Sequence, residues 1–259
     1  MGRLQELVGI TRTLRAEGGC PWDRAQTPRT LRPLLLEEAY EVLDAIDAGD
    51  DRALLGELGD LLFTVVLLAQ IQSDEGQFDL DDVAGSAVDK MIRRHPHVFS
   101  DADYEGVRGW EAIKAAERAE RSDLPSSVLD GVPSALPALL RAQRIGKKAA
   151  STGFDWPTVD GARAKLTEEI EELDEVLHGD QVARIEEELG DVLFSVVNIA
   201  RHAGVSAEDC LRAATAKFEG RFRRLESTVR DSGADPSQLD GPTLEALWQQ
   251  LKGEPPCGD

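Results

Sequence analysis

The sequence contains an internal repeat, which limits the folds that the chain can adopt. When the sequence is shifted by 131 residues against itself, LLLEEAYEVL (34–43) aligns with KLTEEIEELD (165–174), and GELGDLLFTVVLLA (56–69) aligns with EELGDVLFSVVNIA (187–200). Twelve of the 34 positions between 37 and 70 are identical, whereas chance would give about two or three. The sequence therefore predicts two copies of one structural unit.

Each copy is expected to consist of helices. In the stretch LLLEEAYEVLDAI (34–46), the apolar residues Leu35, Ala39, Val42 and Ile46 recur with the helical period of 3.6 residues. No segment shows sustained strand-like alternation between turn signals, and Ala, Leu, Glu, Asp and Arg dominate the composition. The predicted fold class is all-α, built from two tandem helical-bundle repeats.

The segment between the repeats has the composition of a linker. SDLPSSVLDGVPSALP (122–137) is rich in Ser and Pro and leads into the basic helical stretch ALLRAQRIGKKAA. We therefore place the first repeat at 1–121, the linker and basic helix at 122–150, and the second repeat at 151–254.

Five carboxylates align between the copies without a gap, as an EExxE set on one helix and an ExxD set on the next. A turn as short as DAGDD (47–51) makes two helices packed neighbours, so the two sets can meet beside an apolar core. Like charges one turn apart cost about 0.2 to 0.5 kcal/mol per exposed pair, and more when desolvated. An all-oxygen cluster offsets that cost by binding Mg²⁺ or Mn²⁺. The aligned pairs are Glu37 and Glu168, Glu38 and Glu169, Glu41 and Glu172, Glu57 and Glu188, and Asp60 and Asp191.

Two other interpretations of the acids compete with a metal site. A single EExxE is usually a solvated helix face in a chain with 49 acidic residues, but duplication of all five positions argues against that reading. A di-iron bundle also collects glutamates from packed helices, but it normally needs a histidine three residues after a ligand glutamate. None of the aligned glutamates is followed by a histidine at that spacing.

Basic and aromatic residues recur after the acids in each copy. Lys and Arg one turn apart can hold phosphate oxygens, and a Trp can stack on a base. Together with metal-binding acids they suggest a nucleoside polyphosphate bound as its metal complex. The residues are Lys90, Arg94, Trp110 and Lys114 in the first copy, and Lys217, Arg221, Trp248 and Lys252 in the second.

The charge balance limits the other partners. A net charge of −20 argues against binding of nucleic acid or an anionic membrane through a basic surface. The first residues lack the features of a signal peptide, and the longest nearly apolar run, Leu61 to Ile71, is shorter than a membrane span. We therefore expect a cytoplasmic protein.

Taken together, these residues resemble a known family. EExxE followed by ExxD, KxxxR downstream, GCPWD near the start, and SVLDGVPSALPALLRAQRIGKKAA leading to GFDW resemble the two-domain MazG nucleoside triphosphate pyrophosphohydrolases, from about Leu4 to Lys252. The resemblance implies the all-α NTP pyrophosphatase type of fold, Mg²⁺ dependence, a homodimer formed through helical bundles, and hydrolysis of NTPs or dNTPs to monophosphate and pyrophosphate.

The resemblance also implies roles for individual residues. Glu169, Glu172, Glu188 and Asp191 would bind metal, with Glu38, Glu41, Glu57 and Asp60 as their first-repeat counterparts. Nucleotide contacts would come from Lys165, Arg184, Lys217, Arg221 and Trp248 in the second repeat. Lys165 corresponds to Leu34 and Arg184 to Ala53, so we expect the second repeat to be the better catalyst.

The attacking water needs an orienting or deprotonating group. Glu168, with Glu37 as its counterpart, is the predicted residue because it lies one turn from Glu172 without having to be a metal ligand. Two functional alternatives stay open: a non-catalytic helical module that binds nucleotides or a protein partner, and a pyrophosphohydrolase that acts on a signalling nucleotide.

Overall fold

A computed structural model describes residues 2–100, 127–235 and 238–253. Every regular element in these ranges is a helix, so the all-α prediction is confirmed. The chain divides into two compact units, Met1–Ala116 and Glu117–Asp259, and each unit contains one copy of the repeat.

The first unit is organised around a pair of long helices that pack against each other, α3 (Arg32–Ala48) and α4 (Asp51–Asp74). Helix α1 (Arg3–Arg15) packs on α4. Its buried core is formed by Leu31, Leu67 and Ile71, with Phe63 and Leu68 packed around them. The described helices are α1 (Arg3–Arg15), α2 (Pro21–Ala25), α3 (Arg32–Ala48), α4 (Asp51–Asp74), α5 (Leu80–Arg94) and α6 (Pro96–Phe99).

The turn between α3 and α4 is as short as the sequence predicts, and two residues make it possible. Gly49 ends α3 in the left-handed conformation, with φ at 67°, which glycine adopts without steric cost. The Asp50 side chain then caps α4 by accepting hydrogen bonds from the backbone N–H groups of Arg52 and Ala53. The turn thus brings the EExxE residues of α3 against the ExxD residues of α4.

The second unit repeats this helix pair and adds to it. Helices α8 (Val159–Val176) and α9 (Val182–His202) correspond to α3 and α4 and also pack against each other. A hairpin of α10 and α11 has its own small core of Leu225, Val229 and Leu251. The helices are α7 (Ala138–Ala150), α8 (Val159–Val176), α9 (Val182–His202), α10 (Ala207–Asp231) and α11 (Gly241–Gly253).

The basic helix α7 packs on the second repeat, against α9 and α10. Its Gln143 side chain donates to the carbonyl oxygen of Val205 at 2.7 Å and accepts from the backbone N–H of Ala207 at 2.9 Å. These bonds satisfy backbone groups at the start of α10, so α7 is an integral part of the second unit.

The apolar helices α4 and α9 are less buried than their composition predicts. The second half of α4 is buried, but Leu55 and Leu58 in its first half are 75% and 48% exposed. In α9, Leu189 and Leu193 are 46% and 47% exposed. Within each unit, one apolar face of the helix pair is therefore left uncovered by the described residues of that unit.

Helix α4 also has the length and apolar composition of a membrane span, and the mean hydropathy of its most apolar window is 1.8. It extends the run from Leu61 to Ile71 in both directions, and 28% of its most apolar window is buried. Core helices of water-soluble proteins meet the same test, and the first half of α4 carries the acidic residues Glu57 and Asp60.

Candidate functional site

The second repeat brings three of its predicted metal ligands together. Glu169 and Glu172 come from one face of α8 and Glu188 from the facing side of α9, and each offers a carboxylate oxygen within 4.8 Å of the other two. Glu169 is almost fully buried, with 4% of its surface exposed. We call these residues the second triad, and their spacing suits a shared hard cation.

A lysine side chain reaches into the second triad. The Lys165 ammonium lies 2.6 Å from a carboxylate oxygen of Glu169 and 2.7 Å from one of Glu168. The hydrogen bonds to Glu168 and Glu169 raise the pKa of Lys165. Desolvation, followed by the charge of Glu169, raises the pKa of Glu172. Repulsion among the carboxylates of the triad thus persists although the Lys165 ammonium already pairs with one of them.

Arg184 approaches the second triad less closely. Its guanidinium is 3.8 Å from a carboxylate oxygen of Glu188, and about half of the Arg184 side chain is exposed. Such a long, solvated ion pair contributes little to stability. The side chain is therefore available to another anion.

The first repeat forms an equivalent first triad from Glu38, Glu41 and Glu57, whose oxygens also lie within 4.8 Å of one another. One oxygen of Glu38, Oε2, is buried and has no hydrogen-bond partner among the described residues. Burial, and then the charges of neighbouring carboxylates, raise the pKa of both Glu38 and Glu41. Asp60 and Glu37 are among those neighbours.

The remaining predicted acids lie outside the triads. Asp60 and Asp191 follow Glu57 and Glu188 by one helical turn and are exposed. Glu37 and Glu168, the predicted water-orienting residues, are also exposed, and Glu168 is bonded to Lys165. The three-residue spacing from Glu to His does occur once near these helices, at Glu175 and His178, but both are exposed and neither belongs to a triad.

The basic and aromatic residues of the second repeat gather on the α10–α11 hairpin. The guanidinium of Arg221 lies over the Trp248 ring, 5.2 Å from its centroid, and Phe218 packs against the same ring at 5.0 Å. Lys217 and Lys252 are exposed on these helices. Within the described ranges, no hydrogen bond or ion pair connects this group to the second triad.

The corresponding residues of the first repeat are less fully described. Lys90 and Arg94 lie on α5, both partly buried, and Arg94 has polar or electrostatic interactions of its own. Trp110 and Lys114 fall outside the described residues.

Two features of the second unit were not identified from the sequence. One is the pairing of Lys165 with Glu168 and Glu169, which their i,i+3 and i,i+4 spacing could have indicated. The other joins the GFDW loop to the end of α9, where Arg201 makes a two-pronged ion pair with Asp155. No local signal reveals this second pair, because its members are 46 residues apart.

Comparison with known proteins gives matches over nearly the whole chain. The family model described as the MazG nucleotide pyrophosphohydrolase domain matches twice, at residues 26–99 and 158–225, and both matches contain a triad. A protein of Escherichia coli K12 named nucleoside triphosphate pyrophosphohydrolase is 47% identical, covering 97% of this chain and 98% of the relative.

Two further relatives come from other bacteria. A Thermotoga maritima protein named nucleoside triphosphate pyrophosphohydrolase/pyrophosphatase MazG is 41% identical, over 96% of this chain and 95% of the relative. A Mycobacterium tuberculosis protein named nucleoside triphosphate pyrophosphohydrolase is 39% identical over 96% of this chain and 66% of the relative.

Proposed function

The chain belongs to the MazG nucleotide pyrophosphohydrolase family, and on that premise we propose that it hydrolyses NTPs and dNTPs to nucleoside monophosphate and pyrophosphate with bound Mg²⁺. The observation that carries the proposal is the pair of carboxylate triads, one in each family-model match. Nucleotide-pool housekeeping is the role that we assign to this activity.

The triad residues fit a hard divalent cation. Each triad offers only oxygen donors, which Mg²⁺ and Mn²⁺ prefer. One buried oxygen of Glu38 has no hydrogen-bond partner among the described residues, and the pKa values of Glu41 and Glu172 are raised. Both observations point to carboxylates that lack sufficient counter-charge. Glu169, Glu172, Glu188 and Asp191 would hold the metal in the second repeat. Glu38, Glu41, Glu57 and Asp60 would hold it in the first.

Both the metal and the side chains contribute to the proposed hydrolysis. When bound, Mg²⁺ lowers the pKa of a water and neutralises phosphate charge, which favours attack on the α-phosphorus. Glu168 orients that water or accepts its proton, and it can do so once its bond to Lys165 is released. Glu37 is its first-repeat counterpart.

The cationic side chains of the second repeat hold the nucleotide. Lys165 and Arg184 border the second triad, so they are positioned to receive phosphate oxygens. Lys217 and Arg221, one turn apart on α10, bind the departing pyrophosphate, and Trp248 and Lys252 on α11 contact the rest of the nucleotide. Lys90, Arg94 and Trp110 are the candidates for the same roles in the first repeat.

The second repeat is proposed as the better catalyst because the first has Leu34 and Ala53 where the second has Lys165 and Arg184. The test compares turnover of two matched variants, Glu172→Gln and Glu41→Gln, which change the same position of each triad. We expect Glu172→Gln to abolish most of the turnover and Glu41→Gln to spare it. The reverse order would overturn the assignment.

A homodimer is part of the proposal, and the exposed apolar faces of α4 and α9 support it. Leu55, Leu58, Leu189 and Leu193 expose between 46% and 75% of their surface, which is unfavourable in water unless a second surface covers them. We also propose a cytoplasmic location and no binding to nucleic acid or membrane, in line with the net charge of −20.

The experiment that tests the activity is product analysis with a panel of NTPs and dNTPs, in Mg²⁺ and in chelator. Monophosphate and pyrophosphate that disappear with chelator are the expected result. Diphosphate and phosphate would show attack at a different phosphorus. Metal-dependent thermal stabilisation without any product would favour a binding module instead. Faster turnover of a guanosine polyphosphate than of any NTP would favour the signalling nucleotide as substrate.

A further inference from the structure

The two triads have the same three glutamates but different cationic surroundings. Lys165 stands one helical turn before Glu169, and Leu34 stands at the equivalent place before Glu38. The second triad therefore has an ammonium from its own helix, whereas the first has an apolar side chain at that place.

The position of the ammonium matters because Glu169 is the most buried member of its triad. The Lys165 Nζ atom lies 2.6 Å from Glu169 Oε1, close enough for a charge-assisted hydrogen bond to a ligand oxygen. At the equivalent place in the first triad, the buried Oε2 of Glu38 has no hydrogen-bond partner among the described residues. The second triad is thus partly neutralised by Lys165, whereas no ion pair to the first triad is formed by the residues that the structure describes.

We propose that Lys165 is a positioning residue that serves the second triad as an internal counter-cation and competes there with the divalent metal. In the absence of nucleotide, the second triad then binds metal more weakly than the first. Lys165 has a flexible stem, so the phosphates of an arriving nucleotide can draw its ammonium away from Glu169. Metal and nucleotide are therefore expected to bind the second triad together. This inference rests on the metal binding in the proposed function.

The size of the effect follows from the charges. A unit positive charge about 5 Å from a divalent cation disfavours its binding on the order of tenfold at high effective dielectric constant. Replacing Lys165 by the uncharged methionine should therefore tighten metal binding by about that factor, and introducing a lysine at Leu34 should weaken it similarly.

The test measures Mn²⁺ binding to the full-length protein without nucleotide. The concentration of free Mn²⁺ is monitored by electron paramagnetic resonance. One triad is studied at a time: Lys165→Met is compared in a Glu41→Gln background, and Leu34→Lys in a Glu172→Gln background. We expect the first change to tighten Mn²⁺ binding about tenfold and the second to weaken it about tenfold. Lys165→Arg, which keeps the charge, should bind Mn²⁺ much as the parent does.

The outcomes separate this inference from the proposed function. Unchanged or weaker Mn²⁺ binding in Lys165→Met would overturn the counter-cation role while leaving the metal sites intact, and so would equal tightening in Lys165→Arg. Absence of Mn²⁺ binding in every variant would overturn the metal sites and the inference together. Thermal unfolding gives an independent readout: the melting temperature gained on adding Mn²⁺ should be larger for Lys165→Met than for its parent.

Discussion

The ion pair between Asp155 and Arg201 is expected to stabilise the second unit, and the size of its contribution can be estimated from the structure. Asp155 accepts two hydrogen bonds from the Arg201 guanidinium, one of them at 2.7 Å, and lies 3.1 Å from the His202 ring. Mainly through the hydrogen bonds from Arg201, this lowers the pKa of Asp155 from 3.8 to about 2. Because the Arg201 side chain is only 12% exposed, the pair anchors the GFDW loop to the end of α9.

The perturbation is Asp155→Asn, which keeps the shape but removes the charge. At about 1.4 kcal/mol per pKa unit, lowering the pKa from 3.8 to about 2 corresponds to about 2.4 kcal/mol. The Asp155 side chain is 25% exposed, so solvent screening reduces the expected loss to about 1 to 2 kcal/mol. A loss of this size increases the equilibrium constant for local opening of the α9 terminus about tenfold.

The assay is hydrogen exchange of the peptides that cover α8 and α9, compared at several pH values. A carboxyl group with a lowered folded-state pKa stabilises the fold above its unfolded-state value and loses that effect as the pH falls toward its folded-state value. The difference between parent and Asp155→Asn should therefore be constant above about pH 5, and about half of it should be lost at pH 3.

The control is Asp174→Asn, which removes the same charge from an exposed position of α8 with no hydrogen bond or ion pair to other described residues. Its effect should be within about 0.5 kcal/mol. Equal changes in protection in both variants, or an Asp155→Asn difference that did not shrink in acid, would contradict a stabilising charge on Asp155. Mn²⁺ affinity should stay at the parent value in Asp155→Asn, because the 13 residues from Glu188 to Arg201 span about 20 Å of α9.

Three further predictions concern packing, charge and binding. Gly161→Ala should destabilise the second unit by about 1 to 2 kcal/mol in urea unfolding, because the added Cβ would lie 2.6 Å from Cγ and 2.8 Å from Cβ of Trp156; a stability equal to the parent would contradict this. Glu41→Gln should raise the melting temperature in chelator, because the pKa of Glu41 is raised by burial and by its acidic neighbours, and should lower it in saturating Mg²⁺; the same sign in both conditions would argue against a metal at the first triad. Trp248→Ala should raise KM for NTPs several-fold with a smaller change in kcat, because Arg221 loses the ring over which it lies; an unchanged KM would exclude Trp248 from the nucleotide site.

The sequence predicts the local part of the site well. The EExxE spacing puts Glu169 and Glu172 on one face of α8, and the short turn brings Glu188 of α9 to them, as expected. It predicts burial less well, since Leu189 and Leu193 look like core residues but are nearly half exposed. An apolar residue is equally suited to a core and to an interface, so composition cannot distinguish the two environments.

The duplication, the helical class and the set of paired acids follow from the sequence. These properties depend on identities between aligned positions and on the 3.6-residue period, which fix neighbours along one helix. The packing of the helices makes Glu169 the buried member of its triad and brings Arg201 to Asp155. Burial and the distances between helices depend on packing by residues that are remote in the chain, so patterns along one helix do not reveal them.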